Sequence, residues 1–136
     1  MIPVMYNCCY GGFSLSDEAV TEYNRRKTPD RPRVKSMGSD IDRADPLMVQ
    51  IVKEMGKRAN GNFSDIRLDH IQPQYKNNYY IQEYDGSESV QVDYKGYLLT
   101  EIQKILRDPS ISPDDKVSRI TLLDWSIADD AVNMCE

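Results

Sequence analysis

The residues best suited to chemistry are two glutamates near the tip of a predicted β-hairpin. Two alternating segments flank Asp85-Gly86, and Asp-Gly is typical of a two-residue type I′ turn because both turn positions need a positive φ. Counting outward from that turn places Glu83 opposite Glu88 on one face of the hairpin. Like charges at opposed positions destabilise a sheet, so we expect a compensating cation, a shared proton, a metal ion or simple solvent exposure.

Carboxylates placed in this way allow two kinds of chemistry. Proximity raises the pKa of one of two neighbouring carboxyl groups for acid–base work, and carboxylate oxygens bind hard cations such as Mg²⁺ or Ca²⁺. The alternative is a solvated hairpin tip in which Asp85 serves only the turn. From the sequence we assign no catalytic residue, no metal ligand and no cofactor. The candidate functional hairpin comprises Glu83, Tyr84, Asp85, Gly86 and Glu88.

A second candidate site is the turn before the first predicted helix. Gly11, Gly12, Phe13 and Ser14 follow a predicted strand, and Ser16 is the predicted helix N-cap. Backbone N–H groups at such a place bind anions such as phosphate. The segment matches neither GxGxxG nor a Walker loop, and no Lys follows it, so the pattern favours glycines that a tight turn requires.

A third candidate is a basic segment that follows the first predicted helix. A solvated loop is one interpretation, and nucleic-acid contact or nuclear import is the other. The net charge of −5 argues against a protein that binds nucleic acid over its whole surface. Tyrosines of the hairpin, Tyr80 and Tyr84, are suited to stacking on bases or to contacting another protein. The cations of the basic segment are Arg25, Arg26, Lys27, Arg31, Arg33 and Lys35.

The cysteines fit neither a disulfide framework nor a zinc site. Cys8, Cys9 and Cys135 are odd in number, and two of them are adjacent. We expect reduced, partly buried thiols. A Cys-His enzyme is the alternative, and it would have to use His70, the single histidine of the sequence.

Hydrophobic periodicity and capping residues predict the elements that carry these groups. The chain opens with a strand over residues 2–10, and a helix capped by Ser16 runs to about Arg26. A long, mobile loop over residues 27–44 precedes a second helix with Asp45 as N-cap and Pro46 at N1, closed by residues 60–61. The remaining elements are a strand over 66–71, the hairpin, and helices over 97–107 and from 113 onward.

Length and composition predict one globular domain. The chain has 136 residues, of which 40% are hydrophobic and 29% charged. No apolar run approaches the ~18 residues of a membrane helix, and the N-terminus lacks a signal-peptide pattern, so we expect an intracellular protein without a membrane partner. The predicted fold class is α+β, with a small, mostly antiparallel sheet covered by helices. The core spans residues 1–96 and a C-terminal helical pair spans 97–136.

Three segments resemble one known family. They are CYGGFSLSDEA from Cys9 to Ala19, IQEYDGSE from Ile81 to Glu88, and the second-helix entry RADPL from Arg43 to Leu47. They resemble an uncharacterised protein family of large DNA viruses, bacteriophages and some bacteria. Within that family they look most like the proteins of Marseillevirus-type giant viruses, which infect amoebae. The resemblance covers about residues 4–94. Family members commonly end in a short His-Arg-Trp-like segment after the hairpin, whereas this chain continues into two further helices.

The resemblance implies a viral origin but no activity. It marks Arg43 and Asp45 as candidate supporting residues for the glutamate hairpin. The residues favour a non-enzymatic viral accessory or virion-associated protein that binds a protein partner or a second copy of itself, in the host cytoplasm or the virion. On the last predicted helix, Leu122 and Trp125 lie to one side of the apolar stripe, so this helix either packs on two surfaces or offers an apolar patch to a partner. The alternatives are a small enzyme or metal-dependent binder built on the hairpin, and nucleic-acid contact, with nuclear entry, through the basic 25–35 segment.

Overall fold

The computed structural model describes residues 1–134, and Cys135 lies outside the described residues. Over this range the fold class is α+β, as predicted. Short 3-10 turns at Ser36–Gly38, Gly56–Ala59 and Pro73–Tyr75 lie between the main elements. The elements in chain order are β1 (Ile2–Asn7), α1 (Asp17–Arg26), α2 (Pro46–Met55), β2 (Ile66–Ile71), β3 (Tyr79–Tyr84), β4 (Ser87–Val92), α3 (Tyr94–Arg107) and α4 (Pro113–Met134).

The strands form two separate antiparallel pairs, where the sequence suggested one small sheet. In the first pair, Ile2 lies opposite Ile71 and Asn7 lies opposite Ile66. The second pair is the predicted hairpin of β3 and β4. Its turn residues Asp85 and Gly86 have φ values of 51° and 86°, and a type I′ turn needs positive φ at both positions.

Contacts divide the chain into two compact units, Met1–Gln91 and Val92–Glu136. The sequence placed the corresponding boundary after residue 96. The core of the first unit lies between α1, α2 and the β1–β2 pair, with Met5, Tyr23 and Met48 among its most buried side chains. Burial of these apolar side chains supplies the main favourable free energy of folding.

The helices of the first unit begin where their caps predict. The Ser16 hydroxyl accepts the N–H of Ala19 at 3.2 Å, and an Asp45 oxygen accepts the N–H of Met48 at 3.0 Å. The predicted end of α2 was wrong. The helix stops at Met55 because Gly56, expected inside it, is the C-cap at φ 59°, and a left-handed residue ends a helix.

The predicted mobile loop over residues 27–44 is fastened to the rest of the first unit at several points. The Asn24 side chain bonds both backbone groups of Val34, which is buried. The N–H of Leu15 donates to the Met37 carbonyl at 2.9 Å, and the N–H of Met5 donates to the Arg43 carbonyl at 2.8 Å. The loop over residues 27–44 is therefore ordered and packs against the hydrophobic core.

The segment between α2 and β2 returns to the entry of α1. The N–H of Gly61 donates to the Ser14 carbonyl at 2.9 Å, and the Asn60 side-chain oxygen accepts the N–H of Ile66 at 2.9 Å. A Cβ at Gly61 would overlap the Ser14 side chain. Asn60-Gly61, predicted as the end of a helix, is thus an ordered connection between two other elements.

The second unit is built from α3 and α4, which pack against each other. α3 begins at Tyr94, earlier than predicted, because the Asp93 carboxylate accepts the N–H of Gly96 at 2.9 Å and caps it. α4 is capped by Ser112, whose hydroxyl accepts the N–H of Asp115 at 3.2 Å. Ile127 is buried in this unit.

Candidate functional site

The base of the hairpin holds an ion pair between Glu88 and Arg43. The guanidinium binds both carboxylate oxygens, with N–O distances of 2.7 and 3.0 Å, and the Glu88 side chain is only 7% exposed. The backbone N–H of Asn7 donates to Oε1 of Glu88 at 2.9 Å. Three donors therefore hold the Glu88 carboxylate, and they use most of the roughly four acceptor sites that a carboxylate has.

Phe13 and the backbone of β1 hold the arginine in place. The Arg43 guanidinium lies 3.5 Å from the centroid of the Phe13 ring, a cation–π contact. Arg43 also donates a longer bond, 3.4 Å, to the Met5 carbonyl. A planar cation that is stacked on one side and bidentate at its edge has little freedom, so Arg43 fixes the position of β4.

Asn7 joins three further segments at the same place. This side chain is fully buried, and its amide donates to the carbonyls of Cys9 and Gly86 at 2.6 and 2.8 Å. Its oxygen accepts the N–H of Asp65 at 2.9 Å. These bonds end β1 at Asn7 instead of the predicted residue 10, because the chain turns to bring the Cys9 carbonyl to the amide.

The hairpin turn packs against the turn that follows β1. A Cβ at Gly86 would overlap the Tyr10 carbonyl and the Gly12 nitrogen, and a Cβ at Gly11 would overlap the Phe63 carbonyl. Glycine is therefore required at both places by close approach of the backbone. Segments 9–13, 43 and 86–88, which the sequence singled out separately, meet at one point of the structure.

Exposed aromatic residues surround this meeting point. Tyr10, Phe63 and Tyr84 are exposed, and the close backbone contacts bring their segments together at one end of the first unit; we call these three residues the aromatic rim. Phe63 is 85% exposed and has a φ of 63°. A bulky residue at positive φ is strained, and a solvent-exposed ring gains nothing from the core in return.

The other hairpin acids lie in solvent. Glu83 and Asp85 are exposed, whereas Glu88 is buried. The compensation expected from the sequence therefore has two parts, since Arg43 neutralises one glutamate and water solvates the other. Asp85 thus places one exposed negative charge next to Tyr84, and Glu83 places another on the opposite face of the hairpin.

Asp45 belongs to a different cluster and does not complete the hairpin site. It is buried, and one oxygen accepts bonds from the Tyr23 hydroxyl at 2.8 Å and from Arg31 at 2.9 Å. Burial, followed by this bond to Asp45, raises the pKa of Tyr23 above its usual value. The cluster fastens the 27–44 loop to the start of α2.

The basic segment is partly neutralised inside the first unit. Arg25 and Arg26 both bind Glu22, and Arg26 also binds Glu54 at 2.8 Å. The bonds from Arg25 and Arg26 lower the pKa of Glu22 to about 2. With Arg31 bound to Asp45, half of the predicted cationic surface is committed to internal pairs; Lys27, Arg33 and Lys35 are the remaining cations of the segment.

At the candidate anion or turn site, both serine hydroxyls bind backbone carbonyls of the chain. The Ser16 hydroxyl donates to the Arg58 carbonyl at 2.7 Å while it caps α1. The Ser14 hydroxyl donates to the Asn62 carbonyl at 3.3 Å. Gly12 has a φ of 85°, which agrees with glycines placed for the turn rather than for a phosphate.

The two thiols that the structure describes, those of Cys8 and Cys9, do not meet the histidine. The Cys9 thiol donates to the Phe63 carbonyl at 2.9 Å and to the Asn7 side-chain oxygen at 3.3 Å, and Cys8 is exposed. His70 is paired with Pro3 at the opposite end of the β1–β2 ladder from Asn7. These positions separate the two groups that a Cys-His pair would require.

Residues 1–134 hold neither a cluster of metal-binding side chains nor a membrane-spanning helix. No group of three or more His, Cys, Asp or Glu side chains within this range is arranged to hold a metal ion. None of the helices described has the length and apolarity needed to cross a membrane. Glu83, Asp85 and Glu88 therefore share a hairpin without forming a cation cage.

Two residues of the site were not singled out from the sequence. Asn7 is the last residue of the apolar strand β1. A polar residue at a position that faces the core is the sequence feature that could have identified it. Phe63 follows Asn60-Gly61-Asn62, and nothing in that segment predicts an exposed ring at positive φ.

Comparisons with known proteins identify no homologue of this chain. The chain matches no protein-family model, and neither a curated protein nor a solved structure matches it at a significant level.

Proposed function

We propose that the chain is a protein-binding module whose contact surface is the aromatic rim. The observation that carries the proposal is Phe63, whose ring is in solvent while its backbone is at positive φ. Strain of this kind costs about 1–2 kcal/mol, and burial of the exposed ring in the core does not offset it. Aromatic residues on a rigid base are the side chains that most often supply binding energy at interfaces.

The base of the rim is suited to holding these rings still. Asn7 and the Glu88–Arg43 pair tie the turns together by buried hydrogen bonds. A contact surface that is ordered before binding loses less conformational entropy when the partner arrives. In this proposal Glu88, which the sequence offered for acid–base work or cation binding, supports the contact surface.

The charges of the rim favour a basic partner segment. Asp85 is exposed next to Tyr84 in the turn, and tyrosine and phenylalanine faces attract arginine and lysine. Glu83 is exposed as well, on the other face of the hairpin from Tyr84. Electrostatic complementarity of this kind sets specificity and speeds association. We therefore propose a peptide or loop rich in Arg or Lys as the partner element, and the viral resemblance suggests an infected cell as its setting.

The two alternative functions have weaker support. Enzyme or metal chemistry at the hairpin needs Glu88, whose oxygens accept three hydrogen bonds from Arg43 and Asn7. Nucleic-acid contact needs the basic segment, in which Arg25, Arg26 and Arg31 already bind carboxylates of the chain.

A displayed library of random peptides tests the proposal. We expect the wild-type chain to enrich peptides rich in Arg and Lys, with affinities that fall as salt is raised. Tyr84→Ala and Phe63→Gly should each weaken binding of an enriched peptide at least tenfold, while far-UV circular dichroism stays unchanged. Phe63→Gly should also keep or raise the free energy of unfolding, because glycine relieves the positive φ.

Exposed residues of the second unit provide the matched control. Leu106→Ala removes an exposed apolar side chain of α3 and should leave peptide affinity unchanged. Enrichment of acidic or unrelated peptides, or equal binding by wild type and Phe63→Gly, would refute the rim as the contact surface.

A further inference from the structure

A small depression in the surface of the first unit begins one residue before Phe63 of the aromatic rim. Its volume is about 160 Å³, which is below the roughly 300–1,000 Å³ of most small-molecule sites. The depression therefore has the size to take one side chain of a partner rather than a whole ligand. The residues that line it are Leu15, Ser16, Asp17, Met37 and residues 60–62.

Backbone hydrogen bonds fix the floor and both walls of this depression. Leu15 is the buried residue of its floor, and the Leu15 N–H donates to the Met37 carbonyl at 2.9 Å. On the other side, Leu15 and Asn60 form an antiparallel bridge, and the Gly61 N–H donates to the Ser14 carbonyl at 2.9 Å. Because these walls are ordered before a partner arrives, filling the depression costs little conformational entropy.

Met37 shows the same combination of strain and exposure as Phe63. It is 56% exposed and has a φ of 62°, a conformation that side chains other than glycine rarely adopt. Met37 lines one wall of the depression, and Asn62, which precedes Phe63 in the chain, lines the other. The unbranched thioether of methionine adapts its shape to the stem of a long side chain.

The charge of the depression is negative. Asp17 and Glu18 both lie in the first turn of α1, and Glu18 binds Arg58, whereas Asp17 has no ion pair among residues 1–134. Two carboxylates against Arg58 and roughly half a positive charge from the helix dipole leave this end of α1 negative. Within the described part of the chain, no basic side chain lines the depression.

We infer that the depression binds one arginine side chain of the basic partner segment, an inference that rests on the proposed function of the rim. Asp17 accepts the guanidinium, while Leu15 and Met37 contact the apolar stem. Arginine is favoured over lysine because its planar guanidinium binds a carboxylate through two parallel bonds. It is also more weakly hydrated than an ammonium group, so it enters a partly apolar recess at a lower cost.

The single amino acid N-acetylarginine methylamide tests the depression without the rim. At millimolar concentration we expect this probe to shift the amide NMR resonances of Met37, Gly61 and Asn62 in the full-length wild type. N-acetylcitrulline methylamide, which has a similar shape without the charge, should not shift them. Tyr84→Ala should respond like the wild type. Unshifted resonances with the arginine probe, or equal shifts with both probes, would overturn the inference.

Asp17→Asn and Glu18→Gln form a matched pair of variants. Each neutralises one acid in the first turn of α1, but only Asp17 lines the depression. We expect Asp17→Asn to weaken binding of the arginine probe at least tenfold, and Glu18→Gln to bind it like the wild type. Equal weakening in both variants would show a general effect of charge at the helix start and would remove Asp17 from its assigned role.

Peptides enriched by the wild type separate failure of the depression from failure of the rim. One arginine of such a peptide should be critical, so that its change to lysine weakens binding about threefold and its change to citrulline at least tenfold. In Asp17→Asn both changes should have little further effect. If Phe63→Gly weakens binding while Asp17→Asn binds every enriched peptide like the wild type, only the depression fails. If the wild type enriches no basic peptide, the rim proposal fails, and the arginine probe still decides whether the depression binds a guanidinium.

Discussion

Glu88 and Asp45 are two carboxylates of the first unit that each bind an arginine, yet their partners come from different distances along the chain. Asp45 caps α2 three residues away and binds Arg31 and Tyr23 across 14 and 22 positions. Glu88 binds Arg43 across 45 positions and the Asn7 backbone across 81. The first arrangement begins with a local signal, whereas the second exists only after the chain has folded.

The two sites also fix different parts of the unit. Asp45 holds the 27–44 loop on the start of α2, so its loss should loosen one side of the core. Glu88 and Arg43 hold the hairpin against β1, so their loss should affect the surface that carries the rim. Variants at the two sites can therefore be compared directly.

The largest effect should come from breaking the Glu88–Arg43 pair. Glu88→Gln or Arg43→Met leaves one buried charge without its partner, and we expect a loss of about 3–5 kcal/mol. The double variant should lose less than the two single losses added together. Urea unfolding followed by far-UV circular dichroism measures all three, and additive losses would show that the two side chains are not coupled.

Gly86→Ala should have the next largest effect. It adds both positive-φ strain and an overlap with the Tyr10 carbonyl, and we expect about 2–3 kcal/mol of destabilisation. Gly12→Ala is the matched control, because Gly12 also has positive φ but no atom near its would-be Cβ. Equal losses in the two variants would show that close approach to Tyr10 is unimportant.

Removal of Asp45 should cost less than removal of Glu88. Asp45→Ala deletes a helix cap, for about 1–2 kcal/mol, and also leaves the buried Tyr23 hydroxyl without this acceptor. The side chain of Arg31 is half exposed, so its guanidinium can turn to water. Asp45→Asn keeps an oxygen for the Met48 N–H and should recover part of that loss. A loss from Asp45→Ala as large as that from Glu88→Gln would remove the contrast between local and distant partners.

The smallest effect is a pH dependence at the Asp45 site. The pKa of Tyr23 is raised from 10.0 in the folded chain by burial and by Asp45, so the folded state holds this proton more tightly than the unfolded state does. The resulting stability is complete below pH 10 and is lost as the pH rises through the folded pKa. Tyr23→Phe should flatten this decline, which unfolding curves at about pH 8 to 11 would measure; an unchanged slope would contradict the assignment.

Local signals allowed much of the fold to be predicted. Ser16, Asp45 and Ser112 mark helix starts, and Asp85-Gly86 marks the turn, because each works through atoms only a few residues away. Gly56 was misread because periodicity continued beyond it while its own conformation ended the helix. Asp93 was missed as a cap although its carboxylate acts three residues ahead.

The site was predicted in its parts but not in its assembly. The sequence indicated that Glu88 needed compensation and that Arg43 was a candidate, but periodicity does not encode which distant cation arrives. The Asn7 contacts and the close approach of Gly86 to Tyr10 depend on tertiary packing. Strain at Phe63 contradicts local preference, and such conflicts concentrate at functional places.

The bonds around Asn60 and Gly61 affect how the protein ages. Asparagine followed by glycine is a thermolabile pair, since the glycine nitrogen attacks the asparagine side chain and releases ammonia. Here that nitrogen donates to Ser14 and the side-chain oxygen accepts from Ile66, so both reacting groups are held apart from their reaction. Conversion of Asn60 to aspartate then requires local opening of this segment. The rate at which the aspartate form accumulates in stored protein would therefore report how often the segment opens.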